Sequence, residues 1–161
     1  MKAKSRHFIN KGEVKKVEDE LKAVFGSDVD GFLSSELEIV ETGDKYNLLV
    51  KGGEPILFLV EGKPFPTVRG ALKLKTKKRT VVVDGGAVKF VAEGADIMCP
   101  GVVNADQNIQ KGDLVIVTEE AHGKALAIGK ALMSGEEMMG EKGKAVKSLH
   151  FVGDKLWNLT L

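Results

Sequence analysis

The stretch TVVVDGGAVKFVAEGADIMCPGVV, Thr80 to Val103, decides how the second half of this chain folds. Its three consecutive valines, Val81 to Val83, read as a short buried strand. Gly85-Gly86 read as a tight turn, and Ala87 to Glu93 as a short helix stopped by Gly94. The apolar pair Ile97-Met98 then leads into Cys99, Pro100 and Gly101. Pro100 lacks a backbone donor and has a fixed φ, which places it at an edge or a bend. Gly101 lets another part of the chain come close.

Downstream, nearly everything reads as strand. DLVIVTEE, KALAIGKALM, KAVKSLHFV and KLWNL are separated by QKGD, AHGK, SGEEMMGEKG and GD. Short strands at close spacing with turn formers between them predict a small barrel or sandwich. With one helix among them, this is a mostly β pseudo-barrel whose helix covers one opening. Upstream, Asn10 and Glu13 stand at the spacing of a capping box. Val14, Val17, Leu21 and Val24 recur at helical spacing until Gly26, which predicts a helix over 11–25. LEIVE, YNLLV and ILFLV, separated by TGDK and KGGEP, predict a small antiparallel sheet. GKPFPTV interrupts it with two prolines. ALKLK alternates as one more strand, with Leu72 and Leu74 toward the core and lysines toward solvent. The expected class is α+β, a helix-plus-antiparallel-sheet domain over 1–76 followed by the pseudo-barrel over 77–161.

The chain has 161 residues, 43% hydrophobic and 29% charged, the composition of an ordinary globular protein. A single cysteine excludes an internal disulfide framework and points to a reducing compartment. The opening MKAKSRHFINKGEV has no apolar run of signal-peptide length, and no later stretch approaches the roughly 20 apolar residues that span a bilayer. A cytoplasmic protein with no membrane partner is expected.

The net charge of +1 conceals a local excess. Residues 69–79 carry six bases and no acid, whereas 26–68 and 80–161 are both net acidic. Lys73, Lys75, Lys77, Lys78 and Arg79 are therefore candidate phosphate contacts, whose binding should weaken steeply with salt. A charged edge strand that resists aggregation is the competing explanation.

Cys99 invites a catalytic reading, but a thiolate nucleophile needs a base and an electropositive setting. His7, His122 and His150 are scattered, and one cysteine with three isolated histidines falls short of a zinc pattern. Cys99 is read as a packing residue. The Gly85-Gly86 pair precedes a helix start, where unpaired N–H groups favour an anion, although a plain strand-to-helix turn explains it too. The mixed charge of the first helix reads as a solvated face, while Lys2, Lys4 and Arg6 could touch nucleic acid. Trp157 reads as core and His122 as a turn residue. Met133, Met138 and Met139 read as a loop folded on the barrel or as a soft partner surface. No phosphate-loop, dinucleotide, zinc-protease or nucleophile-elbow pattern occurs.

Thr80–Val103, taken with GDLVIV, ALAIGKALMS and LHFVGDKLWNL, resembles a PUA domain over about 79–161. That RNA-binding module is named for pseudouridine synthases and archaeosine transglycosylases. With a helix-plus-sheet domain ahead of it, the whole chain is similar to the malignant-T-cell-amplified-sequence, or translation machinery-associated, family. The archaeal members of that family have this compact two-domain form. The resemblance implies that the Gly-Gly turn, the first barrel helix and the strand carrying IMCPG line an RNA groove. Gly85, Gly86, Lys89, Met98, Pro100 and Gly101 become site candidates on that ground, and Met98 reads equally well as core. It further implies a non-catalytic, cofactor-free RNA-binding protein of translation, holding ribosomal RNA or the acceptor end of a tRNA. The N-terminal domain would then dock the small ribosomal subunit or a partner of the density-regulated type. Two other readings stay open: an accessory subunit for an RNA-modifying enzyme, and an enzyme with an unrecognised carboxylate pair.

Overall fold

The computed structural model describes residues 1–33 and 36–161. Packing divides the chain into two units, Met1–Lys75 with Asn158–Leu161, and Thr76–Trp157.

In the first unit, helix α1 (Lys11–Phe25) begins at the predicted capping box. Asn10 Oδ1 accepts the Glu13 amide at 2.8 Å, and Glu13 Oε1 accepts the Asn10 amide at 3.1 Å. Two otherwise unpaired donors are thereby satisfied at the helix start. The chain leaves α1 through Gly26, whose φ of 60° lies in the left-handed region that glycine adopts without strain. Val14, Leu21 and Phe25 are buried, and Phe25 meets Phe65 with ring centroids 5.5 Å apart. The sheet is an antiparallel meander in chain order: β1 (Ser5–Phe8), β2 (Glu38–Glu41), β3 (Leu48–Lys51), β4 (Glu54–Val60) and β5 (Lys63–Pro66).

Two local expectations for this half need correction, and one strand is additional. Strand β1 leaves no signal in the sequence, because all four of its residues are exposed and it lacks the alternation that marks a half-buried strand. GKPFPTV does not break the sheet. It supplies the edge strand β5, where Pro64 and Pro66 are tolerated because only one side of the strand is paired. ALKLK is not a strand, so Lys73 and Lys75 do not stand on one sheet face. Helix α2 (Val68–Lys73) takes its place, capped by Thr67, whose hydroxyl accepts the Gly70 amide at 3.1 Å. Leu74 is buried as expected, but Leu72 is 44% exposed.

The second unit holds β6 (Thr80–Val83), α3 (Gly85–Val91), β7 (Ile97–Met98), β8 (Val102–Ala105), β9 (Leu114–Glu119), β10 (Ala125–Ala131) and β11 (Lys144–Phe151). The sheet order is β7-β11-β10-β9-β6-β8, with β6 and β9 parallel and the other pairs antiparallel. Its two edge strands, β7 and β8, are joined by the three-residue turn Cys99–Gly101. A sheet whose opposite edges are that close along the chain must curl into a nearly closed barrel, and α3 lies among its connections. Val81, Val83, Ile97, Val115, Val117, Ala127 and Val146 fill the interior. Gly85-Gly86 do not form a turn before the helix; they are its first two residues.

KLWNL is also not a strand. Residues 152–158 turn around the carboxylate of Asp154, which accepts the Phe151 and Trp157 amides at 2.9 Å and faces His150 Nδ1 at 2.8 Å. Trp157 is half-buried and His150 fully buried. Burial alone would push the Asp154 carboxyl up, but the His150 contact and the two amides outweigh it and hold the carboxyl below its ordinary value. A depressed folded value contributes stability above the unfolded carboxyl range, near 4, that is lost as pH falls through the folded value. Asp154→Asn places an amide against a backbone donor and should lower stability by about 2 kcal/mol at neutral pH. Unfolding in urea at several pH values between about 2 and 6 should show the variant losing less stability on acidification than the parent. Parallel profiles would remove Asp154 as the responsible group.

Candidate nucleic-acid interface

One face of the barrel unit carries an open groove of about 660 Å³ between α3 and the β7 segment. Its floor and walls are largely apolar. Phe90 on α3 is 58% exposed and Met98 on β7 is 45% exposed, and Ala95 and Pro100 continue the same surface. Phe90 is exposed because the seven-residue helix turns Val91 into the core and leaves its neighbour outside. Gly101 shapes the wall: a Cβ there would meet the Ala87 Cβ at 3.1 Å, so glycine lets α3 lie close against the turn. The Asp84 amide donates to the Gly101 carbonyl at 3.0 Å and ties the two sides together.

Three charged residues line the groove, and two are acidic. Asp84 caps α3 through Oδ1, which accepts the Ala87 amide at 2.9 Å. Asp96 Oδ1 accepts the Ser148 amide at 2.9 Å, and Asp96 Oδ2 lies 3.5 Å from the ammonium of Lys144. Lys144 arrives from β11, opposite Met98 in the β11–β7 register. A carboxylate already sits at the start of α3, so this helix end is not the vacant anion cradle expected at Gly85-Gly86. Chemically the groove can stack a flat apolar ring on Phe90 and Met98. Asp84 and Asp96 can accept hydrogen bonds from exocyclic amino groups, and Lys144 can meet one phosphate.

Cys99 packs in the barrel core. It is 1% exposed, its sulfur lies 3.4 Å from Met133 Sδ, and burial pushes its thiol further up. Such a thiol stays protonated and acts as a small hydrophobe.

Residues 79–152 match the PUA domain family, and residues 5–74 match a domain of unknown function, DUF1947. An uncharacterized protein of Methanocaldococcus jannaschii is 45% identical over 98% of both chains. A crystal structure of a hypothetical protein from Pyrococcus horikoshii OT3 superposes with a TM-score of 0.89 at 36% identity, over 98% of this chain and 100% of that one. Translation machinery-associated protein 20 of Eremothecium gossypii is 37% identical over 79% of this chain and 74% of that protein. The chain belongs to the translation machinery-associated protein 20 family.

In this family member the structure gathers some of the candidate site residues and separates others. Gly86, Met98, Pro100 and Gly101 line the groove. Gly85 and Lys89 are exposed on α3 but are not part of the lining. Lys73 closes α2 in the first unit and pairs with Glu54 at 2.9 Å. Lys75, Lys77 and Lys78 are exposed along the segment that links the units in sequence. Arg79 is engaged in the barrel itself: its guanidinium donates to the Leu114 carbonyl at 3.1 Å and lies 3.7 Å from Asp113. Sequence reasoning missed Phe90, Asp84, Asp96 and Lys144 as lining residues. For Phe90 the signal was present, a large apolar residue beside Val91 on a helix too short to bury both. Among the described residues, no group of three or more histidine, cysteine or acidic side chains could hold a metal ion, and no helix is long and apolar enough to cross a membrane.

Proposed function

We propose that this protein is a non-catalytic RNA-binding protein of the translation machinery that holds structured RNA through an unpaired end, such as a tRNA acceptor end, in the barrel groove. The observation that carries this reading is the open apolar groove with Phe90 and Met98 exposed on it and carboxylates at its rim. An apolar ring exposed to solvent in a groove of this size, with a flexible thioether beside it, is what an unpaired base stacks on. Its acidic rim disfavours a phosphate track running through it, so the backbone of the RNA is met elsewhere. Lys75, Lys77 and Lys78 are the best placed of the basic run for that role. The relatives named for the translation machinery support the setting, with the first unit docking on the small ribosomal subunit or on a protein partner.

The test is fluorescence anisotropy with an RNA hairpin bearing an unpaired 3′ overhang and the same hairpin with a blunt end. The overhang should bind at least about tenfold more tightly, the worth of one stacked base. Changing Lys75, Lys77 and Lys78 together to Ala should reduce the slope of log affinity against log salt by about 2 while preserving the overhang preference. Equal affinity for the two hairpins would overturn the groove assignment. An unchanged salt slope would remove the three lysines.

A further inference from the structure

The first unit holds a concavity of its own, about 320 Å³, lined by Gly31, Phe32, Lys51, Gly52, Ile56 and Lys73. It sits where the segment after α1, the β3–β4 hairpin and the end of α2 converge. We propose that this pocket is a phosphate-binding site, with Lys51 and Lys73 as its cations.

Among the described lining residues both charged side chains are lysines, and none is a carboxylate. Lys51 Nζ donates to the Phe32 carbonyl oxygen at 3.2 Å. That acceptor is neutral, so the ammonium is held in place at the wall with its charge uncompensated by this bond. Lys73 does meet a carboxylate, Glu54 at 2.9 Å, but the two side chains are 58% and 34% exposed. An exposed pair of this kind holds its partners weakly, and Lys73 can turn from Glu54 to a stronger anion at small cost. The backbone leaves room for one. A Cβ at Gly31 (φ +76°) or Gly52 (φ +58°) would meet nothing within 4 Å, so the space over both residues is open. Phe32 and the buried Ile56 give the pocket an apolar back. Two compact ammonium groups at an open pocket match a group carrying close to two negative charges and three acceptor oxygens better than they match a single carboxylate. This site accounts for Lys73, which the barrel groove does not use.

The experiment is an amide-resolved NMR titration of the full chain with sodium phosphate, against sodium chloride at matched ionic strength. The Gly31, Lys51 and Gly52 amides should shift and saturate with phosphate and not with chloride. Lys51→Met, which keeps the aliphatic stem, should weaken that response at least about tenfold by removing a charge-assisted contact. Lys73→Met, at an exposed helix end, gives a second reading if the first variant loses its native spectrum. A second titration uses a short single-stranded RNA carrying a 5′-terminal phosphate. Saturation of the same amides at a tenfold lower concentration than inorganic phosphate identifies a terminal RNA phosphate as the source, and equal concentrations identify a free phosphate. Shifts that fail to saturate, that chloride reproduces, or that neither variant alters would overturn the proposal.

Discussion

Phe90→Ala weakens binding of the overhang hairpin by about 5- to 150-fold, the equivalent of the 1–3 kcal/mol that a base gains on an aromatic platform. Binding of the blunt hairpin is unchanged, which separates a stacking role from a general loss of affinity. The reason to expect a clean result is structural. Phe90 is 58% exposed, while its neighbour Val91, at 2%, is what anchors α3 to the barrel. Truncating an exposed ring leaves no cavity, so the variant keeps its stability within about 0.5 kcal/mol. Phe90→Trp retains the platform and should keep most of the affinity. Anisotropy with the two hairpins, together with a urea unfolding curve for each variant, checks all three statements. If Phe90→Ala bound the overhang as tightly as the parent, the groove would not be where bases are held, and the exposed ring would need another partner.

The charges of the groove sharpen the proposed recognition. Asp84 and Asp96 both lie in its lining, and only Lys144 opposes them. A site meant to follow the phosphate backbone would carry the opposite balance. The proposed function thus assigns affinity that depends on salt and affinity that depends on an unpaired end to different residues of the protein. They should respond separately, the first to the linker lysines and the second to Phe90.

Much of the fold was legible because its signals are local. Helix α1 announces itself through Asn10, Glu13 and Gly26, three residues whose hydrogen bonds and backbone angles lie within the helix they bound. The barrel was legible through strand spacing and through the turn residues between strands. The errors share a different cause. ALKLK alternates like a strand, yet Thr67 satisfies the first turn of a helix there, and its hydroxyl is fixed from outside by the Pro55 carbonyl at 2.8 Å. Six residues are too few for a helical period to show against a two-residue one. KLWNL has strand-like composition, but Asp154 draws three donors around one carboxylate and winds the segment into turns. The lining of the candidate groove was legible where it follows the chain, in Gly86, Met98, Pro100 and Gly101. Lys144 was not, because it reaches the groove only through the pairing of β11 with β7. Position along a sequence carries no trace of that register.

The largest stability effect falls on a glycine of the first unit. Gly70→Ala should destabilise the first unit by about 3 kcal/mol or more, the upper range of overpacking, although helix propensity alone predicts a gain of about 1 kcal/mol. Gly70 is buried in α2, and a Cβ built on it would run into the backbone carbonyl of Ile56. That carbonyl cannot give way. It accepts the Thr67 amide at 3.0 Å, and Ile56 lies in the buried centre of β4. An added methyl must therefore push α2 off the sheet, breaking the Thr67 bonds to Pro55 and Gly70 that start the helix. Gly85→Ala is the matched control. It too is helical and has no positive φ, but a Cβ there meets nothing within 4 Å, so the propensity gain is realised and the variant is slightly more stable. Urea unfolding followed by amide exchange assigns each change to its unit. The two glycine-to-alanine substitutions, both within helices, should move stability in opposite directions. A neutral or stabilising Gly70→Ala would mean that α2 can lift away from β4 without loss, and that the close approach at Ile56 is not what glycine serves at this position.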